Sequence, residues 1–397
     1  MSYKIAIVVH GRFFAFDLAK ALLRRGHHVR LFTNYPRWAV ARFGFPVGRV
    51  SSRWGHGVSS RVFNAARNKF RTPVPERWLH ESFGRWAART VAREQWDAVF
   101  CFSGVAEELL ETLAGSETSR WLVRGSCHIR TQARLLVEEE RRVGWPIEKP
   151  SEWMIAREER EYGLADVILT LSTFARKSFR QQNVVSIPLG VDVQRFRAEP
   201  DKLEERQQRI RSGKKLRVLF VGTQSFQKGL LDLAAIARQL SGRFDFRLVG
   251  PTEPQASGFL KELKSAMESL PAVPEARLPE IYAWGDVFLF PTIQDGFAVV
   301  LAQANASGLP ILTTTNCGGS DFLRIGETGW ILPIRSPDAF IEKLNWCDQH
   351  RSELAAMVGR MHHEFKPRTW DDVAVDYESA LDQIVPDPTI ARQRVHA

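Results

Sequence analysis

Cysteine is scarce: there are four in 397 residues, Cys101, Cys127, Cys317 and Cys347, standing 26, 190 and 30 positions apart. That spacing offers neither a zinc-ligand set nor a disulfide framework, so the four are expected to be reduced, buried small residues. Long apolar runs are absent as well. No stretch reaches the roughly 18 to 20 residues that cross a bilayer, and Ile5 to Val9 is too short for a signal-sequence core, which predicts a cytoplasmic chain. Acidic residues are nearly missing from the first quarter: residues 1–93 hold 18 Lys and Arg against 3 Asp and Glu, a net of +15, whereas residues 188–397 hold 25 against 27, a net of −2. The overall charge of +10 is therefore local, and it asks for an anionic partner on the N-terminal side. Two nucleotide signatures are also lacking. Neither VVHGRFFAF nor FVGTQSFQKG supplies G-x-G-x-x-G after a first strand, and there is no Walker pattern.

What is present is the composition of a folded protein, 44% hydrophobic and 25% charged, with a length that implies two or three domains. The β-branched run of residues 3–9 (YKIAIVV) leads through Gly11 into Ala15, Leu18, Ala19 and Leu22 at helical spacing, then a second run from Val29 to Thr33. Strand, helix, strand in that order predicts a parallel sheet covered by helices. Further strands are legible at Ala98 to Phe102, Trp121 to Arg124, Val167 to Leu171 and Val184 to Ile187, closing a first α/β domain at residues 1–187. Residues 188–215 are polar and read as a linker. LRVLFVG at 216–222 restarts the same grammar, with strands at Phe246 to Val249, Val287 to Phe290 and Pro310 to Thr314, giving a second α/β domain at 216–366. A last helix, 369–385, opens with Thr369 as N-cap and Asp372 three residues on, and turns Val373, Tyr377, Leu381 and Ile384 inward. The tail after Pro386 is polar and expected to be frayed.

In the second domain a strand, Gly222, a short turn and then Lys228-Gly229 place a cation beside the amides of a helix N-terminus, an arrangement suited to a phosphate. A solvated lysine at a helix start is the bland alternative. The segment 286–312 (DVFLFPTIQDGFAVVLAQANASGLPIL) is more specific: strand, Pro291, an Asp295-Gly296-Phe297 turn, then a helix from about Ala298 to Ser307. Asp295 sits at the mouth of that helix and Gln303 about two turns in, so the two are expected to hold separate parts of one ligand.

These residues carry a resemblance. The chain resembles a retaining glycosyltransferase of family 4, with the GT-B fold of two doubly wound Rossmann-like domains facing across a cleft. Where the family carries E-G-F-G and a second Glu eight residues after the first, this chain reads Asp295, Gly296, Phe297, Ala298 and Gln303. Gly222 with Lys228-Gly229, Ile187 to Asp192 at the domain junction, Gly250, Gly318-Gly319 and the Trp370 helix match in order. The resemblance implies a transfer from a nucleotide-diphosphate sugar to a hydroxyl of a lipid-linked or glycan acceptor, with no metal or other cofactor. It implies that Lys228 neutralises the diphosphate, that the amides of Gly296 to Ala298 cap the donor, that Asp295 holds sugar hydroxyls, and that Gln303 bonds the ribose. Gly222, Thr223 and Gly250 would line the donor, His128 would face its sugar, and Gly11-Arg12 would lie across the cleft near the phosphates or acceptor. The chain departs from the family in three respects: Asp295 and Gln303 replace glutamates, Thr223 stands where an arginine is frequent, and His10-Gly11-Arg12 replaces a Gly-Gly pair. An inverting transferase, an epimerase, or a scaffold whose carboxylate pair has been lost are the competing readings.

Within residues 37–93 arginine alternates with aromatics, as in Arg37-Trp38, Arg42-Phe43, Arg53-Trp54, Arg77-Trp78 and Arg85-Trp86. Rings at headgroup depth with guanidinium on lipid phosphate suit an anionic membrane, so the first domain is expected to dock peripherally on the inner face of the plasma membrane rather than on nucleic acid. Core aromatics beneath a solvated basic face are the alternative.

Overall fold

The computed structural model describes residues 2–70, 74–364 and 366–384. The early strand runs assemble into one parallel sheet: β1 (Lys4–Val9), β2 (His28–Thr33), β3 (Val50–Ser52), β4 (Ala98–Phe102), β5 (Ser119–Val123), β6 (Val167–Thr170) and β7 (Val184–Ser186), in the order β3-β2-β1-β4-β5-β6-β7. A second parallel sheet holds β8 (Leu216–Val221), β9 (Phe244–Val249), β10 (Glu268–Leu270), β11 (Val287–Phe290), β12 (Ile311–Thr314) and β13 (Gly329–Leu332), in the order β10-β9-β8-β11-β12-β13. The central strands are apolar on both faces, as in KIAIVV and VFLF, because helices cover each sheet on both sides. This is the GT-B architecture.

Strand order reverses between β1 and β4 in one sheet and between β8 and β11 in the other. At such a reversal neighbouring crossover helices lie on opposite faces, which opens a crevice at the carboxyl ends of the strands. The loops after β1, β8 and β11 all meet in one cleft between the sheets.

The C-terminal helix Trp370–Ile384 returns to the first domain, burying Val373, Ala374, Tyr377 and Leu381 in its core beside the helix Ala15–Arg24. Its capping box is formed: the Asp372 carboxylate accepts the Thr369 amide at 2.8 Å while the Thr369 hydroxyl accepts that of Asp372 at 3.1 Å. Ile384, expected inward, is 37% exposed at the helix end. The polar stretch 188–215, expected as a plain linker, contains the helices Val193–Phe196 and Pro200–Arg211. Leu203 and Ile210 of the longer one join the second domain's core, and its buried Arg206 donates to the carbonyls of Ser307, Gly308 and Tyr282. The polarity misled because an arginine here satisfies carbonyls at a helix C-terminus instead of facing water. All four cysteines are free and buried. Among the described residues no helix is long and apolar enough to cross a membrane, and the tail after Pro386 lies outside them.

Candidate active site

The cleft has a volume of about 1590 Å3. Lys228 reaches it from the 3-10 turn Phe226–Lys228 after β8, where the Ser225 hydroxyl accepts the Lys228 amide at 3.3 Å. Gly229 follows with φ +82°, and a Cβ there would lie 2.0 Å from the Pro291 carbonyl oxygen, so only glycine lets the β8 and β11 loops close on each other. That closeness brings Lys228 Nζ to 2.5 Å from Asp295 Oδ2, both side chains about one-fifth exposed. The other carboxylate oxygen of Asp295 accepts the amides of Phe297 at 3.2 Å and Ala298 at 2.8 Å. The amides expected to cap a ligand are thus capped by Asp295 itself. Ala298 takes the left-handed conformation, φ +66°, to start the helix Val299–Ala306.

Gly296 is the point of contact between the domains. A Cβ on it would stand 1.9 Å from the Gly125 carbonyl oxygen, and its own carbonyl accepts the Ser172 hydroxyl at 2.5 Å. Ser126 Oγ donates to Gln294 Oε1 at 2.8 Å beside it. Gln303 lines the cleft, but its side-chain oxygen accepts the Tyr282 hydroxyl at 2.8 Å. The group it keeps for a ligand is therefore an NH2 donor.

Gly222, Lys228, Asp295, Phe297, Ala298, Gln303 and Arg12 line the cleft; Gly11, Thr223, Gly250 and Gly296 do not. Gly250 backs the site instead: a Cβ there would meet the Gly222 carbonyl oxygen at 2.0 Å. Thr223 is half-buried behind the turn. His128 is also not brought into the cleft. It caps the helix Ile129–Val143, its Nδ1 accepting the Arg130 amide at 3.2 Å, with its ring centroid 4.9 Å from Tyr162 and 5.0 Å from Phe179. Burial lowers its pKa, so the ring is held neutral, as an acceptor cap requires.

Three groups went unnoticed in the sequence. Arg124, buried at the end of β5, lines the cleft and pairs with Glu158 at 3.0 Å while donating to Gln132 at 2.6 Å. Burial works against its charge, but Glu158 and Tyr162 outweigh that and its pKa is raised. Glu275 receives Arg12 at 3.2 Å from the first domain and Arg195 at 2.7 Å from the junction, and so clasps the cleft mouth. Arg12 also lies 4.0 Å above the Phe43 ring. Arg124 had a signal, a charge closing the apolar run WLVR before Gly125-Ser126; Glu275 and Arg195 had none. Among the described residues no His, Cys, Asp and Glu cluster is arranged to hold a metal.

The family model for glycosyl transferases group 1 matches residues 215–349, from β8 through the helix Pro337–Gln349. The chain is 26% identical over 195 residues to a putative colanic acid biosynthesis glycosyltransferase, WcaL, of Escherichia coli, covering 45% of this chain and 46% of that protein. It is 30% identical over 228 residues to a GDP-mannose-dependent alpha-mannosyltransferase of Mycobacterium tuberculosis, covering 54% and 57%. The chain thus spans about half the length of the curated relatives it matches. Among solved structures, sucrose-phosphate synthase of Thermosynechococcus elongatus superposes with a TM-score of 0.67 at 17% identity, over 96% of this chain and 98% of that one, which shows the shared fold.

Proposed function

We propose, for a chain that carries a glycosyl transferases group 1 domain on a GT-B fold, that it moves a sugar from a nucleotide-diphosphate donor to a hydroxyl of a lipid-linked or glycan acceptor, with retention at the anomeric carbon, in polysaccharide or glycolipid synthesis. The observation that carries this reading is the Lys228–Asp295 pair at the reversal point of the second sheet, set at the mouth of a helix. On donor arrival Lys228 exchanges the carboxylate for the diphosphate, whose negative charge grows as the sugar departs. Asp295, released from the lysine, holds hydroxyls of the transferred sugar, and the Gln303 NH2 donates to the ribose. The acceptor hydroxyl attacks the anomeric carbon, the bond to the phosphate oxygen breaks, and that oxygen takes the hydroxyl proton. No protein base and no metal is invoked, since Lys228 supplies the positive charge that meets the departing phosphate. The donor class agrees with the GDP-mannose dependence of the M. tuberculosis relative.

The acceptor side is read as membrane-facing and peripheral. Trp38, Trp54 and Trp78 are 63%, 61% and 48% exposed, beside exposed Val47, Val58 and Val62, all in the basic first quarter. Retention on anionic vesicles that falls with salt is expected, and no retention at low salt overturns it.

The deciding experiment is release of nucleoside diphosphate when donor and acceptor membranes are added. A charge-assisted hydrogen bond is worth about 1.5–3 kcal/mol, so Lys228→Ala should slow release tens to hundreds-fold. One observation favours a second reading, a sugar-nucleotide-binding protein without turnover: Asp295 already engages the lysine and both amides. Donor binding with no release in the native chain selects that reading, and an inverted product anomer selects an inverting transferase.

A further inference from the structure

A second cavity, of about 720 Å3, opens on the β3 side of the first sheet and shares no lining residue with the cleft. Six arginines line it: Arg30, Arg37, Arg53, Arg85, Arg89 and Arg93. Ser51, Ser52, Ser82, Thr90 and Trp86 complete the wall, which holds no carboxylate. Among the described residues two carboxylates reach it from outside, and each is shared with a further cation. Glu94 pairs with Arg30 and with Lys4; Glu81 pairs with Arg85 and with Arg77.

Among the described residues no carboxylate pairs with the remaining four guanidiniums. Arg37 Nε donates to the Val50 carbonyl at 2.9 Å and Arg53 to the Ser82 carbonyl, so both are aimed by backbone oxygens without losing their charge. Arg89 and Arg93 have no hydrogen-bond or ion-pair partner among the described residues. The pKa of Arg53 is lowered, first by burial and then by repulsion from Arg85 and Arg89, as expected where like charges crowd one cavity. A single carboxylate would leave most of this charge unanswered. A phosphate monoester or diphosphate carries two or more negative charges on several acceptor oxygens, and guanidinium forks grip it bidentately while hydroxyls take the remaining lone pairs.

We infer that this arginine cavity is a binding site for a phosphate-bearing ligand, separate from the donor cleft. The helix Glu76–Val91 joins the two, since Glu76 and His80 line the cleft while Arg85 and Arg89 line the cavity. Trp38 and Trp54, next in sequence to Arg37 and Arg53, are exposed, which makes a bilayer headgroup one source of the phosphate and a soluble diphosphate the other.

Calorimetric titration of the full chain with inorganic pyrophosphate tests this, using Lys228→Ala to silence the donor cleft. Binding is expected to persist in Lys228→Ala and to weaken at least tenfold when Arg89→Gln and Arg93→Gln are added; both arginines are exposed and unpartnered, so folding is preserved. Loss of all binding in Lys228→Ala alone, or unchanged binding in the Arg89→Gln, Arg93→Gln variant, overturns the inference. Phosphatidic acid vesicles, whose headgroup is a phosphate monoester, against phosphatidylcholine vesicles identify the source. Retention on the former that falls with the arginine substitutions marks a lipid headgroup, and lost pyrophosphate binding with unchanged retention marks a soluble phosphate.

Discussion

Asp295 is one methylene shorter than a glutamate, and its reach decides what it can hold. One oxygen spans the first turn of the helix to the Phe297 and Ala298 amides, and the other meets Lys228. Asparagine reproduces the first role, because its side-chain oxygen still accepts both amides, but not the second. Asp295→Asn is therefore expected to change unfolding stability by less than about 1 kcal/mol while lowering turnover at least tenfold. A large stability loss with proportionate activity would make Asp295 a turn residue only. Gly296 is constrained differently. Its missing Cβ is the space occupied by the Gly125 backbone of the other domain, and backbone cannot swing aside as a side-chain tip can. Gly296→Ala should hold the domains apart: each domain stays folded, the radius of gyration rises in solution scattering, and turnover falls by an order of magnitude or more. An unchanged radius with full activity would show that the loop gives way instead.

Single elements separate what was readable in the chain from what was not. The strands were legible because a buried parallel strand is apolar on both faces, as in VFLF at 287–290, and the site loop because Pro291 ends that strand and Asp295-Gly296 turns shortly before a helix. His128 was not, since a histidine after a strand-end turn is placed by tertiary packing, here against Tyr162 and Phe179 from two other segments. The helix Pro200–Arg211 was missed for a related reason: its buried face includes an arginine whose partners are carbonyls about 75 to 100 residues away. A cap accepting one amide is worth about 1 kcal/mol, so His128→Ala should lower unfolding stability by about that amount, and His128→Asn, a preferred capping residue, should restore it. Turnover per folded molecule is expected to be native-like in His128→Asn. A hundredfold loss there at unchanged stability would return His128 to the chemistry.

Across the whole molecule, buried titrating groups of opposite kind set the pH range of the fold. His10 is lowered to about 3 by burial and by the neighbouring His80 and His56. His56 and His80 are also lowered, chiefly by burial. Each binds a proton in the unfolded chain near the usual 6.5 but resists it in the fold, so the unfolded state holds more protons below that pH and stability falls as pH drops from about 6.5 towards about 3. Glu161 has the opposite sign. Burial and then Glu158 push it up to about 8, against Arg157 and the amides of Gly104 and Ala106. Its folded form binds the proton more tightly, so stability falls as pH rises from about 4.5 to about 8. Between about 4.5 and 6.5 the lowered imidazoles, with His28 and His128 among them, oppose Glu161 and the other carboxyls that burial raises, Asp232, Glu253 and Asp321; each shift acts outward from the group's ordinary pKa, so just below 6.5 five imidazoles meet at most four carboxyls and the imidazoles win. Towards pH 3 the raised carboxyls are protonated in both states, and His10 and the ion-paired carboxylates with lowered pKa, such as Glu81, Glu138 and Glu378, act with one sign. The stability maximum is therefore expected near pH 6.5, with the steeper decline on the acid side, measured by chemical denaturation across a pH series. Glu161→Gln should flatten the alkaline limb and His10→Gln should lessen the acid slope; a maximum above pH 8, or an acid slope unmoved by His10→Gln, would remove these groups as the cause.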